Sequence, residues 1–60
     1  MVEKIKVYKN GGCAFMDRCG IGWRVVARSP AGAVLDKVRT DDKRIAREYY
    51  RAFCQLAKNA

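Results

Sequence analysis

The sequence predicts an α+β fold in which a three- or four-stranded antiparallel sheet packs on one C-terminal helix, in the order β-β-(β)-β-α. Three observations predict this fold. Apolar and polar residues alternate in residues 2–9 and 23–28, glycine-containing turns separate these segments, and an uninterrupted helical segment follows Thr40. A chain of 60 residues has room for one hydrophobic core, so we expect a single small basic domain spanning 1–60.

The first predicted hairpin turns at Asn10-Gly11, after the alternating residues 2–9. A type I′ turn needs positive φ at both central residues, and Asn-Gly adopts positive φ at little cost. We expect residues 13–18 to return as the second strand. Residues 17–22 contain two glycines and are compatible with either the end of a strand or a loop.

The second predicted hairpin is built from residues 23–28 and 33–39. In the first of these segments Trp23, Val25 and Ala27 alternate with Arg24, Val26 and Arg28, which indicates one buried and one exposed face. Trp23 is the expected anchor of the core. The intervening Ser-Pro-Ala-Gly at 29–32 places proline and glycine where a tight turn favours them.

The helix is predicted to begin after Thr40-Asp41-Asp42 and to continue to Lys58, because no Gly or Pro interrupts this segment. Threonine and aspartate are good N-caps, and acidic residues favour the positive end of the helix dipole. Helical spacing predicts an apolar stripe that must be covered by the sheet. The stripe consists of Ile45, Tyr49, Ala52, Phe53 and Leu56.

The composition argues against catalysis and against a metal or cofactor site. The chain has no histidine, and no nucleophile motif or pair of carboxylates on a catalytic scaffold can be recognised. Cys13, Cys19 and Cys54 form an odd set of three, which favours free thiols over a complete disulfide framework. A structural zinc site requires four ligands, so three cysteines without histidine are too few for one. From these observations together we expect no metal, no cofactor and no enzymatic activity.

The net charge points to a negatively charged partner. Thirteen Lys and Arg against six Asp and Glu give a formal charge of +7, more than solubility requires of a small domain. No apolar run reaches the roughly 20 residues of a membrane-spanning helix, and the N-terminus lacks the apolar segment of a signal peptide. We therefore expect a cytoplasmic protein. Its expected partner is either nucleic acid, with duplex DNA favoured, or an acidic protein surface.

Two positively charged surfaces are predicted. The first is the sheet face turned away from Ile5, Val7, Trp23 and Val25. Arginine side chains on this face can bind phosphate or the edge of guanine through two hydrogen bonds. A two-stranded ribbon also matches the width of the major groove of DNA. Its candidate nucleic-acid-binding residues are Arg24, Arg28, Lys37, Arg39, Lys4 and Lys6. The second surface is a helix ridge opposite the apolar stripe, composed of Arg44, Arg47, Arg51 and Lys58.

One stretch of the sequence resembles known DNA-binding domains. The residues concerned are Gly22-Trp23-Arg24-Val25-Val26-Ala27-Arg28, Pro30-Ala31-Gly32, Val38-Arg39-Thr40-Asp41, and a helix with Ala46 and Tyr49-Tyr50. This pattern is similar to the N-terminal arm-binding domains of phage and transposon integrases and to the plant ethylene-response-factor domain. The resemblance implies a three-stranded sheet that enters the major groove, with DNA contacts at Arg24, Arg28, Lys37 and Arg39.

The alternative function is docking on a protein. Chains of this size include small phage proteins that bind a host protein or nucleoprotein complex, as anti-CRISPR inhibitors do. The helix ridge would then contact acidic protein surface, with Tyr50 and Cys54 at its edge either as interface residues or as half-buried structural ones. Dimerisation through an unpaired edge strand remains open, and so does the oligomeric state.

Overall fold

Four strands form one antiparallel sheet in chain order, and a single helix packs across one of its faces. The computed structural model describes residues 2–60. The elements are β1 Val2–Val7, β2 Cys13–Cys19, β3 Gly22–Arg28, β4 Val34–Thr40 and α1 Lys43–Lys58. The predicted α+β class is confirmed, with four strands rather than three. Within the described chain, no helix is long and apolar enough to cross a membrane.

The β1–β2 turn forms where it is predicted but with a different geometry. The Gly11 N–H donates to the Tyr8 carbonyl at 2.9 Å, the Tyr8 N–H donates to the Gly12 carbonyl at 2.8 Å, and Gly11 has φ +92°. No non-glycine residue within 2–60 has positive φ, so the type I′ prediction for Asn10 is wrong. The turn closes instead over three residues with glycine in the left-handed position, a common alternative to the two-residue hairpin.

The two other turns complete the meander. The turn before β4 repeats the first one, since the Gly32 N–H donates to the Ser29 carbonyl at 2.9 Å and Gly32 has φ +89°. Between β2 and β3, Cys19 pairs with Gly22 and only two residues form the turn. The first of them, Gly20, has φ +64°, which suits a type II′ turn. Strand β2 therefore runs to Cys19, and the open question about residues 17–22 is resolved in favour of a strand.

Helix α1 is capped at both ends by side chains. The Asp42 carboxylate accepts hydrogen bonds from the N–H groups of Arg44 and Ile45, so Asp42 is the N-cap. At the other end, the Asn10 side-chain amide lies within hydrogen-bonding distance of the carbonyls of Ala57, Lys58 and Ala60, at 3.0–3.3 Å. The first turn of the sheet thereby holds the C-terminus of the helix.

The core lies between α1 and the sheet face that we call the helix face. It is filled by Ala14, Met16, Val25, Ala27, Ala46, Phe53 and Ala57. Met16 and Val25 are the largest fully buried side chains. Trp23 packs at the edge of this cluster and is only partly buried, with the guanidinium carbon of Arg18 4.9 Å from its ring centroid. Its indole N–H is buried without a hydrogen-bond partner.

The predicted apolar stripe of the helix is wrong for four of its five members. Phe53 is buried, but Ile45, Tyr49, Ala52 and Leu56 are exposed. The helix is turned so that Ala46, Phe53 and Ala57 face the sheet. The two alanines let the backbone approach closely, and a Cβ on Gly12 would lie 2.6 Å from the Ala57 carbonyl oxygen. Close packing of small residues therefore decides which side of the helix is buried.

Candidate nucleic-acid interface

The sheet face opposite the helix, the open face, carries a cluster of cations on strands β3 and β4. Arg24, Arg28, Lys37 and Arg39 all belong to this face, as predicted. The strand register places Arg24 directly opposite Arg39 and Val26 opposite Lys37. We call these four cations the basic hairpin face. The β3–β4 ribbon that carries them is the two-stranded element expected from the sequence.

Arg24 and Arg39 are like charges at a directly paired position, an arrangement that destabilises a sheet unless an anion offsets it. Asp17, the cross-strand partner of Arg24 on β2, supplies part of that offset. The Arg24 Nη2 and Nε atoms donate to its two carboxylate oxygens at 2.6 and 3.1 Å. This hydrogen bond and the charge of Asp17 raise the pKa of Arg24. Arg24 is thus held in place by the protein itself.

The other three cations are available to a ligand to a greater degree. The Arg28 guanidinium donates to the Gly32 carbonyl at 3.2 Å, a bond that positions it beside the turn before β4. Arg39 makes one long contact, 3.5 Å, with the Cys19 carbonyl. Neither arginine is paired with a carboxylate within the described residues, and the same holds for Lys37. The basic hairpin face therefore keeps an uncompensated positive charge.

Apart from Asp17, the rest of the open face is largely apolar, and the prediction that Ile5 and Val7 share a face with Trp23 and Val25 is wrong. Ile5 pairs with Phe15 and Phe15 pairs with Val26, so these three side chains form an apolar row across β1, β2 and β3, and Val7 pairs with Cys13 in the neighbouring row. Ile5 is 59% exposed. The open face thus divides into an apolar half on β1 and β2 and a cationic half on β3 and β4.

Lys4 and Lys6 do not belong to the open face, and their predicted place beside Arg24 is wrong. Lys4 pairs with Met16 and Lys6 pairs with Ala14, and both partners point into the core under the helix. Strand β1 is an edge strand, and α1 packs mainly on β2, β3 and β4. The alternation of apolar and charged residues in β1 is therefore not set by burial, and Lys4 and Lys6 lie on the helix face.

Lys4 instead joins the helix ridge across a groove. The groove has a volume of about 570 Å³ and lies between β1 and α1. We call it the basic groove, and it is lined by Lys4, Arg44, Arg47, Glu48, Tyr50 and Arg51. Three of the four predicted ridge residues line it, whereas Lys58 lies in the last helical turn, outside the lining. Four cations and one carboxylate give the groove a net positive charge.

Tyr8, Tyr50 and Cys54 form a half-buried cluster beside the basic groove. Burial raises the pKa of Tyr50 to about 12, with smaller contributions from the neighbouring Cys54 and Tyr8. Burial and Cys54 also raise the pKa of Tyr8. The two phenols therefore stay neutral at physiological pH. Tyr50 and Cys54 are partly structural residues, because both pack against the core.

The cysteines and acidic side chains of the described residues are not gathered into one site. All three cysteines are free and partly exposed, and no three His, Cys, Asp or Glu side chains within 2–60 are close enough to hold a metal ion. Two cationic surfaces, the basic hairpin face and the basic groove, lie on opposite sides of the sheet. Comparison with family models, curated proteins and solved structures gives no match.

Proposed function

We propose that the protein binds nucleic acid through the basic hairpin face, and that duplex DNA is its favoured ligand. The observation that carries the proposal is the alignment of Arg24, Arg28, Lys37 and Arg39 on one face of the β3–β4 ribbon, with Arg24 and Arg39 directly opposite each other. An anion between these strands would relieve their repulsion. Phosphate and the guanine edge are both ligands that arginine binds through two parallel hydrogen bonds.

The shape of the hairpin supports binding in the major groove, which admits a two-stranded ribbon. Arg24 is pre-positioned by Asp17, so little side-chain entropy is lost when it contacts a base edge. Leu35 extends from β4 and is 40% exposed, so an apolar contact with a thymine methyl group is open to it. Arg28, Lys37 and Arg39 would then hold phosphates on either side of the groove.

The test is a fluorescence-anisotropy titration of a mixed-sequence duplex at about 50 to 200 mM salt, with two matched double variants. Arg28→Ala/Arg39→Ala removes two charges from the open face. Arg47→Ala/Arg51→Ala removes the same charge from the basic groove. Each lost phosphate contact lowers the slope of log affinity against log salt by about 0.9, so the open-face variant should lose nearly two units of slope.

The control variant should bind within a few-fold of the wild type, because only long-range attraction is reduced. Equal losses in both variants would show that net charge alone drives binding and would contradict a specific role for the hairpin. A loss of affinity confined to the groove variant would indicate that the nucleic acid binds in the basic groove and not on the basic hairpin face.

The second candidate function is docking on an acidic protein surface, as an inhibitor or accessory factor does. The basic groove favours it, because Lys4 on β1 faces Arg44, Arg47 and Arg51 across a concave surface about 570 Å³ in volume. Concave cationic sites suit a projecting carboxylate cluster as well as a phosphate. Absence of duplex binding at the lowest salt, with the protein folded, would favour this candidate over the first.

A further inference from the structure

We propose that the protein forms a symmetric homodimer through the exposed apolar residues of α1. These residues, which we call the helix stripe, are Ile45, Tyr49, Ala52 and Leu56. Ile45, Tyr49 and Leu56 remain 41–42% exposed in the monomer. The proposal goes beyond nucleic-acid binding, and its argument does not depend on that function.

The spacing of the helix stripe is suited to packing against another helix. Its members are separated by four, three and four residues, which is the a/d pattern of a coiled-coil seam. The sheet already packs on Ala46, Phe53 and Ala57, so it does not cover the stripe, whereas a second helix with the same spacing can. Ala52 lies near its middle, where a small side chain lets two helices approach closely.

The charge distribution favours a second copy of this chain on this surface. Glu48 and Gln55 flank the stripe on its solvent side, and Glu48 is the only acidic residue of α1. The ridge arginines lie on the other side of the helix, along the basic groove. Two chains of charge +7 can therefore meet here without opposing like charges.

The apolar half of the open face is a less suitable place for self-association. Arg28, Lys37 and Arg39 share that face, and two copies stacked on it would bring these uncompensated cations together. The like charges of the two copies would oppose contact between these faces. The helix stripe is thus the apolar surface that a second copy can cover.

The orientation of the stripe determines the shape of the dimer. At about 100° per residue, the stripe points roughly a quarter turn from Ala46, Phe53 and Ala57, which face the sheet. It therefore points sideways, away from β1. Antiparallel pairing of two stripes about an axis perpendicular to the sheets would leave both open faces on the same side. If the proposed function is correct, the dimer would present two basic hairpin faces to one duplex.

The helix stripe has only four residues, so we expect a weak dimer with a dissociation constant of roughly 100 µM. This affinity is low for a specific protein–protein interface and fits a small contact area. The test is sedimentation equilibrium of the wild type from about 20 µM to about 1 mM, without nucleic acid. The average mass should rise from that of the monomer towards twice that value. Tyr49→Lys and Leu56→Lys should remain monomeric throughout this range while keeping the circular dichroism spectrum of the wild type.

Ile5→Lys is the matched control, because it places the same cation on the apolar half of the open face, at a position 59% exposed. It should dimerise as the wild type does. A monomeric wild type at the highest concentration would overturn the proposal, and so would dimers of undiminished affinity in both stripe variants. Loss of the dimer in Ile5→Lys alone would place the interface on the open face and equally overturn it. None of these outcomes bears on binding of DNA.

Discussion

The two faces of the sheet use their side chains in different ways. On the helix face, Met16 and Val25 are fully buried, and the helix approaches until Gly12 lies against the Ala57 carbonyl. On the open face, Arg28 and Arg39 contact only backbone carbonyls and remain exposed. One face supplies the packing that keeps the chain folded, whereas the other keeps charge that the fold does not need.

This difference means that stability and binding should respond to different substitutions. Changes behind the sheet should alter the free energy of unfolding, because they remove buried apolar contacts or force atoms to overlap. Changes on the basic hairpin face should leave the fold nearly unaffected and alter the affinity for a polyanion. Asp17 and Arg24 connect the two roles, because their ion pair lies on the open face while Asp17 is only 8% exposed.

The largest effect is expected from Phe53→Ala, which empties a buried position between α1 and the sheet. Truncation of a buried phenylalanine lowers the free energy of unfolding by about 3–5 kcal/mol, which is most of the stability of a domain this small. Leu56→Ala on the same helix should cost much less, because Leu56 is largely exposed in the monomer. Urea titration followed by circular dichroism at low protein concentration measures both. Equal losses would contradict the observed rotation of the helix.

Gly12→Ala should give the next largest effect, because its Cβ would lie 2.6 Å from the Ala57 carbonyl oxygen, a backbone atom that cannot move alone. Such overpacking typically costs about 1–3 kcal/mol. At Gly32 nothing lies within 4 Å of an added Cβ, so Gly32→Ala carries only the strain of φ +89°. Thermal denaturation of the two variants compares them. A greater loss for Gly32→Ala would argue against close contact between the first turn and the helix.

Sequence alone predicts β3 and the bounds of α1 well. In β3 the alternation of Trp23, Val25 and Ala27 follows burial because the helix covers this strand. In β1 the same kind of alternation is misleading, since the edge strand is largely uncovered and Ile5 lies on the open face. Periodicity reports burial only where something covers the strand, and the cover itself is a tertiary feature.

The rotation of α1 could not be predicted, for a related reason. Two overlapping sets of apolar residues occur at helical spacing, one containing Ile45, Tyr49 and Leu56 and the other Ala46 and Ala57. The first set is more hydrophobic, so the periodicity favours it, but the second permits closer packing. The contact of Asn10 with the end of α1 joins residues 47–50 positions apart, and no local pattern indicates it.

A smaller effect is expected from the ion pair on the open face. Arg24→Ala leaves the Asp17 carboxylate without its partner, so it should destabilise the fold more than Arg39→Ala, which removes one of two facing like charges. Solvent screens the pair, because the Arg24 side chain is 46% exposed, and the difference should be modest. Thermal melts at low and high salt measure it. Greater stability of Arg24→Ala than of Arg39→Ala would contradict the positioning role of Asp17.

The smallest effect concerns pH. Burial raises the pKa of Tyr50 to about 12 from an ordinary value of 10.0, so the folded state holds this proton more tightly than the unfolded chain. The stabilisation is complete below about pH 10 and is lost as the pH rises towards 12. The stability advantage of the wild type over Tyr50→Phe should therefore shrink between about pH 9 and about pH 11. Urea titrations at the two values test this, and an unchanged advantage would contradict a buried neutral phenol.

The most direct test of the central claim is a nuclear magnetic resonance titration of the ¹⁵N-labelled protein with a short duplex at low salt. If the open face binds nucleic acid, the largest amide shifts should fall in residues 24–28 and 37–39, with little change in α1. Shifts centred instead on Lys4 and residues 44–51 would place the ligand in the basic groove and contradict the claim.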